Sequence, residues 1–357
     1  MNKKLLTLAV AGVLAGGFGV AQADVTVYGL AHVSIDKIHG TQVTDDVVVT
    51  SNASRLGVKA SEDLGNGLKA LAQYETTVSM DGETTLFGGV IRNTYVGLNG
   101  GFGTVLAGTY DTPMKIIGRA VELFPEYIGD ARNITGVGGG GLGFDQRPPN
   151  VVAYTTPNMG GFSMMALYSA DTGTTTNTDV NANRLYGLNG VYSSGPLYVG
   201  LAYEIHNYVP IAVTSEDHEG LRLTASGTFG NFRVVGLYQQ LKNLNGTSGR
   251  DRNDYGLGAS FTMGSHVIKA QYYVADNLDN ATAIQEFGAS MYAVGYDFKF
   301  SKSTTAYVAY AKTSNDDGST TANSGNFTVN AGSHGDALTP TGGLDPTAIS
   351  VGMIVKF

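Results

Sequence analysis

The sequence contains no cysteine and no tryptophan, and its 30 aspartate and glutamate residues outnumber its 22 lysine and arginine residues. Without cysteine, no disulfide can hold the chain together. The acidic balance argues against binding nucleic acid, because contacts with phosphates need basic patches. After the first 23 residues, no run is long and apolar enough for a spanning helix, which needs about 20 such residues. Three classes are therefore excluded: disulfide scaffolds, nucleic-acid-binding proteins and helical membrane proteins.

The first 23 residues have the pattern of a secretory signal peptide. Two lysines precede an apolar stretch that ends at Val20, and the small residues of Ala21-Gln22-Ala23 follow. A charged start, an apolar middle and small residues two apart predict cleavage before Asp24. A membrane anchor is the alternative, but the apolar stretch is too short for a spanning helix and is interrupted by glycines. We expect an exported mature chain of residues 24–357.

After the signal, apolar and polar residues alternate in short segments that are separated by glycine, asparagine and serine. Alternation with period two is the pattern of a β-strand that has one apolar face. About sixteen strands are predicted, near residues 24–36, 53–62, 68–78, 90–99, 103–110, 150–157, 162–170, 184–194, 197–208, 219–229, 232–243, 252–263, 266–276, 289–300, 303–313 and 347–357. Tight turns such as Ser194-Gly195-Pro196 alternate with long polar loops such as residues 314–346.

A closed barrel explains this pattern better than an open sheet. Alternation by itself also fits a soluble β-sandwich. The number of strands and the lack of a second layer favour closure, because closure removes the unpaired edges of a large sheet. Alternating short turns and long loops are typical of outer-membrane barrels. The predicted fold class is all-β: a transmembrane antiparallel β-barrel of about sixteen strands that forms one domain, residues 24–357.

The last strand gives a further indication of a membrane barrel. Its apolar face carries Ile349, Val351, Met353 and Val355, and the chain ends on Phe357. Tyrosine and phenylalanine cluster near the ends of several predicted strands, as the aromatic girdles at the two membrane interfaces require.

The stretch from Asp111 to Asn150 departs from the alternating pattern. It contains a helix-like piece from Pro113 to Leu123 and a glycine run from Gly136 to Gly143. A structureless loop of this length in a compact domain usually has a function of its own. We predict that residues 111–150 fold into the barrel and narrow it.

The whole mature chain resembles the Gram-negative general porins. The motifs that carry the resemblance are Val27-Tyr28-Gly29, Ser54-Arg55-Leu56-Gly57, Glu62-Asp63-Leu64-Gly65-Asn66-Gly67, Arg92-Asn93-Thr94-Tyr95-Val96-Gly97-Leu98, Pro125-Glu126-Tyr127-Ile128-Gly129-Asp130, Arg147 ahead of Asn150, and the terminal Phe357. The resemblance implies a trimeric, sixteen-stranded barrel in the outer membrane, open to ions and small hydrophilic solutes by passive diffusion. It also implies that Phe357 is an assembly signal for the barrel-insertion machinery.

The resemblance also implies a pore constriction in which arginines on the wall face acids on the inward loop. Arg55, Arg92 and Arg147 match the arginines, and Glu122 and Glu126 match the acids. From strand parity, Arg55 lies on the polar face of its strand, opposite to Leu56, so it should point into the lumen. Other basic residues have the same inward parity and are interpreted as side chains that only keep the lumen polar and hydrated, that is, as wetting of the interior. They are Lys69, Arg222, Lys269 and Lys299.

The chain departs from the family pattern at two positions. Thr109 stands where related porins often carry an arginine, and Leu30 stands where some carry a lysine. Both departures weaken the positive side of the passage. Together with the acidic balance of the chain, they predict a mild preference for cations.

Two alternative functions remain, and several motifs are set aside. A solute-specific channel for sugars is disfavoured because the aromatics fall mostly on the lipid parity, but one for anions stays open. A lipase-like barrel enzyme is disfavoured because the chain lacks a G-x-S-x-G elbow and a Ser/His/acid grouping.

The glycine run matches the G-x-G-x-x-G dinucleotide motif in its letters, but it follows no strand and opens no helix. The six histidines show no metal spacing. We expect no cofactor and no metal, and as partners a homotrimer, outer-membrane lipid and lipopolysaccharide.

Overall fold

The computed structural model describes residues 23–40, 47–82, 91–136, 143–172, 184–207, 216–280, 288–316, 327–329 and 344–357. Residues 1–22 of the predicted signal peptide and residues 137–142 of the glycine run lie outside this described part.

The regular elements are almost all strands. They are β1 Asp24–His39, β2 Val47–Ser51, β3 Arg55–Gly65, β4 Leu68–Thr77, β5 Thr94–Gly100, β6 Gly103–Thr109, β7 Val151–Thr155, β8 Phe162–Ser169, β9 Leu185–Ser194, β10 Leu197–His206, β11 His218–Phe229, β12 Phe232–Lys242, β13 Arg252–Met263, β14 His266–Ala275, β15 Ala289–Lys299, β16 Thr304–Asn315 and β17 Thr347–Lys356. Two helices, α1 Pro113–Val121 and α2 Arg132–Thr135, and a 3₁₀ turn, Leu244–Gly246, complete the described elements.

The strands form one closed antiparallel ring. From β3 onwards each strand pairs with the next along the chain, and β17 pairs with β1 from Leu30–Lys356 to His39–Thr347. Both β2 and β3 pair with β1, so they are two parts of one interrupted strand, and the ring has sixteen strands. The predicted all-β barrel is confirmed.

The interruption between β2 and β3 was not predicted. Ala53 adopts a left-handed backbone conformation with φ 50°. On either side of it, Asn52 N donates to His32 O at 2.8 Å, and His32 N donates to Ser54 Oγ at 2.9 Å. Alternation cannot reveal such a break, because the break depends on hydrogen bonds to the neighbouring strand.

The two faces of the ring differ sharply in exposure. Outward-facing Leu257 and Val351 are 68% and 56% exposed, whereas inward-facing Ser350 and Thr224 are 1% and 0% exposed. A contiguous apolar surface of this extent is unusual for a soluble monomer and typical of the lipid-facing side of a membrane barrel. Among the described residues, no helix has both the length and the apolar composition that crossing a membrane requires.

Phe357 lies at the seam where the ring closes. Its carbonyl accepts a hydrogen bond from Gly29 N at 2.9 Å, and its own N–H donates to Gly29 O at 3.1 Å. Its ring lies over Gly29, in the space that a side chain at position 29 would occupy. Glycine at this position therefore lets the terminal ring pack flat on the first strand.

The main apolar core lies between the inward loop and the inner wall. From the loop it includes Val121, Leu123, Phe124, Tyr127, Ile128, Ala131 and Ile134, and from the wall Val235, Leu237, Tyr273, Met291, Ala293, Tyr307, Ala309 and Ala311. The barrel is thus filled on one side by its own loop, and the water-filled part of the lumen lies on the other side.

A charge on the outer face tests the orientation of the apolar rows. Leu257→Arg should lower the free energy of unfolding by about 2–4 kcal/mol, because the guanidinium of a residue in the middle of β13 must leave water for hydrocarbon. Gln73→Arg is the control, since Gln73 lies on the inner face of β4 and loses only the hydrogen bond that it donates to Asn93 O and the one that it accepts from the Tyr95 hydroxyl. Urea titrations of folding into lipid vesicles measure both changes. Equal losses at the two positions would contradict the orientation.

Candidate functional site

The inward loop begins with helix α1, whose start is specified by two residues. Thr112 Oγ1 accepts a hydrogen bond from Lys115 N at 3.4 Å, and Pro113 occupies the first turn, where a missing N–H is tolerated. The apolar side chains that α1 buries against the wall are Met114, Ile117 and Val121. Arg119, on the other side of the helix, keeps 24% of its side chain exposed.

Long polar side chains of the wall bind the backbone carbonyls of the loop. Arg233 donates to Ala120 O at 2.6 Å, Gln239 to Thr135 O at 2.9 Å, Gln271 to Gly129 O at 2.6 Å, and Arg252 to Ile134 O at 3.2 Å and Gly136 O at 3.1 Å. A chain folded inside a barrel has no strand partner, so these donors satisfy carbonyls that would otherwise be buried without a hydrogen bond. The loop is therefore held at a defined depth.

Arg222 is a further, deeply buried anchor of the loop. It is 1% exposed, and it donates to Met114 O at 2.9 Å and to the two carboxylate oxygens of Asp145 at 2.7 and 3.0 Å. It therefore ties the first turn of α1 to the far end of the loop. The interpretation of Arg222 as a residue that merely wets the lumen is wrong.

Lys269 also holds the loop. Its Nζ lies 2.9 Å from Asp297 Oδ2, 3.8 Å from the centre of the Tyr127 ring and 4.6 Å from that of Phe124. The ammonium group thus contacts two aromatic rings of the loop through cation–π interactions. The wetting interpretation is wrong for this residue as well.

Glu122, which was expected to line the constriction, lies inside the loop instead. It is 9% exposed, and its two oxygens accept hydrogen bonds from Phe124 N at 2.8 Å and Ala131 N at 3.0 Å. Burial, and then the neighbouring carboxylate of Asp130, raise the pKa of Glu122 to about 7. This carboxylate therefore closes the turn between residues 122 and 131, and it presents little charge to the lumen.

Glu126 belongs to a cluster of four charges on the loop. Arg119 Nη2 lies 2.6 Å from Glu126 Oε1, and Arg132 Nη2 lies 3.0 Å from Glu126 Oε2. Both arginines also bind Asp130, at 2.9 and 2.7 Å. Burial alone would raise the pKa of Asp130, but Arg132 and Arg119 hold that pKa well below its usual range. Two positive and two negative charges are thus locked together on this side of the passage.

Arg55 and Arg92 flank one carboxylate on the wall. Arg92 Nε lies 2.6 Å from Glu75 Oε1, and Arg55 Nε lies 4.0 Å from Glu75 Oε2. Tyr28 donates a hydrogen bond to Glu75 Oε2 at 2.9 Å. Two guanidinium groups therefore share a single acid.

Arg147 lies where the loop rejoins the wall. Its Nη2 lies 2.8 Å from Asp111 Oδ1, and its Nε donates to Asn93 Oδ1 at 2.9 Å. Lys115 Nζ binds the same Asp111 oxygen at 3.0 Å. Burial lowers the pKa of Lys115 to about 8, although Asp111 opposes that change. Here too, two basic groups share one carboxylate.

These three groups of charges act on one another. Arg55 on the wall lies within electrostatic range of Arg119 and Glu126 on the loop, and Arg147 lies within range of Arg92 and Glu126. The structure therefore brings four of the five predicted constriction residues together and places Glu122 behind them. The described groups around the passage comprise six basic residues (Arg55, Arg92, Lys115, Arg119, Arg132 and Arg147) and five acidic ones (Glu75, Asp111, Glu122, Glu126 and Asp130).

Sequence reasoning missed six of these eleven residues. Glu75 could have been found, because it has the same inward parity on β4 as Gln73. Arg119 lies in α1 on the side away from Ile117 and Val121, so helical periodicity could have found it. Asp111 and Arg132 lie where no long periodic segment shows which side chains face water.

Comparison with known proteins gives a consistent result. Residues 7–318 match the family described as Gram-negative porin. The outer membrane porin protein 32 of Delftia acidovorans is 32% identical, over 90% of this chain and 92% of the relative. The major outer membrane protein P.IB of Neisseria gonorrhoeae is 26% identical, over 87% of this chain and 92% of the relative.

Solved structures agree with this result. The anion-selective porin from Comamonas acidovorans superposes with a TM-score of 0.75 at 28% identity, covering 94% of this chain and all of the other. An outer membrane protein of Vibrio cholerae, described in a trimer form, gives a TM-score of 0.68 at 14% identity, over 94% and 99% of the two chains. At that identity the likeness concerns the fold alone.

The Arg222–Asp145 pair should control how firmly the loop stays in place. Asp145→Asn leaves the buried Arg222 without its counter-charge, a change that in buried pairs costs about 3–5 kcal/mol. We expect noisier single-channel currents and closure at lower voltage in planar bilayers. The double change Asp145→Asn with Arg222→Gln removes both charges and should be milder than Asp145→Asn alone. A double variant as noisy as the single one would show that the pair does not anchor the loop.

Proposed function

The chain belongs to the Gram-negative porin family, and on that premise we propose that its channel prefers anions. It is an outer-membrane porin, a water-filled β-barrel channel for the passive diffusion of ions and small hydrophilic solutes. Family and fold both point to a channel rather than to an enzyme. The proposal concerns the charge of the narrow passage and the residues that carry it.

We assign the constriction to Arg55, Arg92 and Arg147 on the wall side and to Arg119 and Glu126 on the loop side. The observation that supports the anion preference is that two carboxylates at the passage are each shared by two basic side chains. Glu75 serves two arginines, and Asp111 serves an arginine and a lysine. An acid shared in this way neutralises only one of its two partners, so positive charge is left over at the passage.

The earlier expectation of a mild cation preference counted Glu122 as a lumen charge and omitted Arg119, Arg132 and Lys115. With Glu122 buried and its pKa raised to about 7, the acidic side loses part of its charge near neutral pH. The basic residues then outnumber the ionised acids around the passage.

The net charge of the whole chain, −8, does not oppose this conclusion. Fixed charges act over about 10 Å at 0.1 M salt, so distant acids on outer loops are screened. Low-dielectric walls focus the field of charges that line a narrow passage. The similar Comamonas acidovorans protein is described as an anion-selective porin, which agrees with the proposal.

Removing two of the wall-side arginines should reverse the preference. In the double variant Arg55→Gln with Arg147→Gln, Glu75 keeps Arg92 and Asp111 keeps Lys115, so no acid is left unpaired. We expect the reversal potential in a low-salt KCl gradient to move from the anion side towards the cation side. Near 1 M salt the difference should largely disappear, because screening then shortens the reach of fixed charge to about 3 Å.

Lys302→Gln is the matched control, because Lys302 is an exposed base in the short turn before β16. It should leave the reversal potential unchanged. A wild-type channel that conducts ions but reverses on the cation side would contradict the anion preference while leaving the porin function intact.

A homotrimer is the assembly that we propose, with the subunits meeting along β17, β1, β2 and β3. Aromatic side chains are exposed on the outer face of most strands from β7 to β15, including Tyr154, Tyr192, Phe232, Tyr272 and Tyr292. On the outer face of β17 and β1 to β3, the large exposed apolar side chains are aliphatic apart from Met353 and the terminal Phe357, and they include Val27, Val58 and Val351.

Aromatic girdles mark the depth at which a barrel meets the two membrane interfaces. A face without a girdle is therefore suited to contact another subunit rather than lipid. The Vibrio cholerae protein of similar fold is described in a trimer form, which agrees with such an assembly. The role of Phe357 in insertion and the cleavage before Asp24 stay predictions.

A bulky apolar residue distinguishes a subunit contact from a lipid contact. Val27→Trp should lower the temperature at which trimers dissociate in unboiled gels, because the larger ring collides within a packed interface. Val199→Trp, on the outer face of β10, should have little effect, since lipid can rearrange around the ring. Equal effects would contradict the assigned face, and a wild-type protein that migrates only as a monomer would contradict the trimer.

A further inference from the structure

A buried carboxylate lies on the inner face of the seam between β1 and β17. Asp36 is 1% exposed, and its Oδ2 accepts a hydrogen bond from Ser34 Oγ at 2.8 Å. Its Oδ1 is buried and has no hydrogen-bond partner among the residues that the structure describes. A buried carboxylate oxygen in this situation is unfavourable unless a donor or a cation reaches it.

Asn52 extends the same cluster. Its Nδ2 donates to Ser34 Oγ at 2.7 Å, so hydrogen bonds run from Asn52 through Ser34 to Asp36. Asn52 is fully buried, and within the described part of the chain its Oδ1 also has no partner. Turning the amide over would not help, because Ser34 would then have to donate to Asn52 and would no longer donate to Asp36. The cluster therefore has more acceptors than donors.

The basic residues nearest in the strand pairing do not neutralise Asp36. Lys37 follows it on β1 and is exposed on the outer face. Lys312 on β16 has outward parity and lies 3.6 Å from Asp345. On the inner face, His32 binds the Tyr307 hydroxyl at 2.8 Å and lies four residues from Asp36, about 13 Å along a strand. The negative charge of Asp36 therefore has no close positive partner in the described structure.

The break between β2 and β3 is what brings Asn52 into this position. Ala53 is held at φ 50°, a left-handed conformation that is strained for a non-glycine residue. Without the break, the 47–65 segment would be one regular strand, and Asn52 would lie in its ladder. Backbone strain beside two unpartnered buried oxygens is a combination typical of a binding site.

We propose that Asp36 and Asn52 bind a monovalent cation of the sodium or potassium type at the seam of the barrel. Asp36 Oδ1 and Asn52 Oδ1 supply a carboxylate and an amide oxygen. The buried hydroxyl of Ser350, opposite Asp36 in the strand pairing and without a partner among the described residues, is a candidate third ligand. Oxygen ligands suit hard cations such as these. The bound ion satisfies both oxygens and neutralises the buried charge, so it stabilises the closure of β1 onto β17.

The ligand set favours a monovalent over a divalent ion. Calcium sites use six to eight oxygens, commonly with several carboxylates, whereas this cluster contains one carboxylate. A monovalent ion leaves the cluster neutral, and a divalent ion would leave one positive charge buried. A water molecule could donate to both oxygens, but it would not offset the charge of Asp36.

Replacing the cation while keeping ionic strength constant tests the proposal. The thermal unfolding midpoint of the detergent-solubilised protein is compared in NaCl, KCl and N-methyl-D-glucamine chloride at one pH. The large organic cation cannot enter a buried site, so we expect the midpoint to be several degrees lower in its chloride than in NaCl or KCl. Crystals grown in a thallium(I) salt should show an anomalous peak between Asp36 and Asn52.

Asp36→Asn removes the charge with little change of shape and should abolish both the cation dependence and the thallium peak. Asp63→Asn is the matched control, because Asp63 is the same residue type, exposed near the end of β3, and it should change neither. If Asp36→Asn does not fold, the wild-type thallium experiment still decides the matter.

Four results would overturn the proposal. They are equal midpoints in all three chlorides, density for a water molecule without an anomalous peak, stabilisation by calcium but not by sodium or potassium, and a midpoint that responds to pH but not to the cation. The last result would mean that the stability of the barrel does not depend on a bound cation.

Discussion

The pairing of β17 with β1 is the constraint on which the rest of this molecule depends. In hydrocarbon, an unpaired backbone N–H or C=O costs several kcal/mol, so the first and last strands must form hydrogen bonds with each other. The ten register pairs from Leu30–Lys356 to His39–Thr347 meet that requirement. Once the ring is closed, its outer face must be apolar and its inner face is free to be polar. The burial pattern of every long strand follows from that division.

Closure creates a second problem, because a sixteen-stranded ring is too wide to be filled by the side chains of its own wall. The loop between β6 and β7 supplies the missing core on one side of the lumen. Its apolar residues from Val121 to Ile134 pack on β12 and on β14 to β16, and Met114 and Ile117 of α1 pack by Ala202 of β10. Polar side chains of the wall bind the backbone of the loop or its carboxylate: Arg222, Arg233, Gln239, Arg252 and Gln271. The charged face of the loop then lies opposite Arg55 and Arg92. The packing of the apolar face against the wall therefore fixes the position of the charged face.

Buried and partly exposed charged groups of the passage have different roles: the buried ones organise the loop, and the partly exposed ones face the lumen. Asp130 and Glu122 are buried and organise the turn that presents Glu126, whose left-handed backbone at φ 64° turns the chain at that point. Arg119 and Arg132 bind these acids and still reach the lumen with part of their surface. A loop that carries its own counter-charges can hold several guanidinium groups close together without strong mutual repulsion.

Much of this protein followed from the order of its residues. Period-two alternation predicted the strands to within a few residues, as in β13, predicted and observed at residues 252–263. It also predicted which faces are apolar, because in a strand parity alone decides the side of the sheet. The lapse of alternation between Asp111 and Asn150 indicated the inward loop, and parity placed Arg55 on the inner face. These are local properties, and a local rule is sufficient for them.

The tertiary structure decided what local rules cannot reach. Glu122 and Glu126 are four residues apart in the same loop, yet the fold buries one and exposes part of the other, because only one meets the backbone donors of Phe124 and Ala131. Arg222 and Lys269 share the parity of a water-facing residue, but the loop covers them. The break at Ala53 arises from contacts with β1, 20 residues away in sequence. Where a side chain's surroundings come from distant segments, its charge state and its role are properties of the folded barrel and not of the strand that carries it.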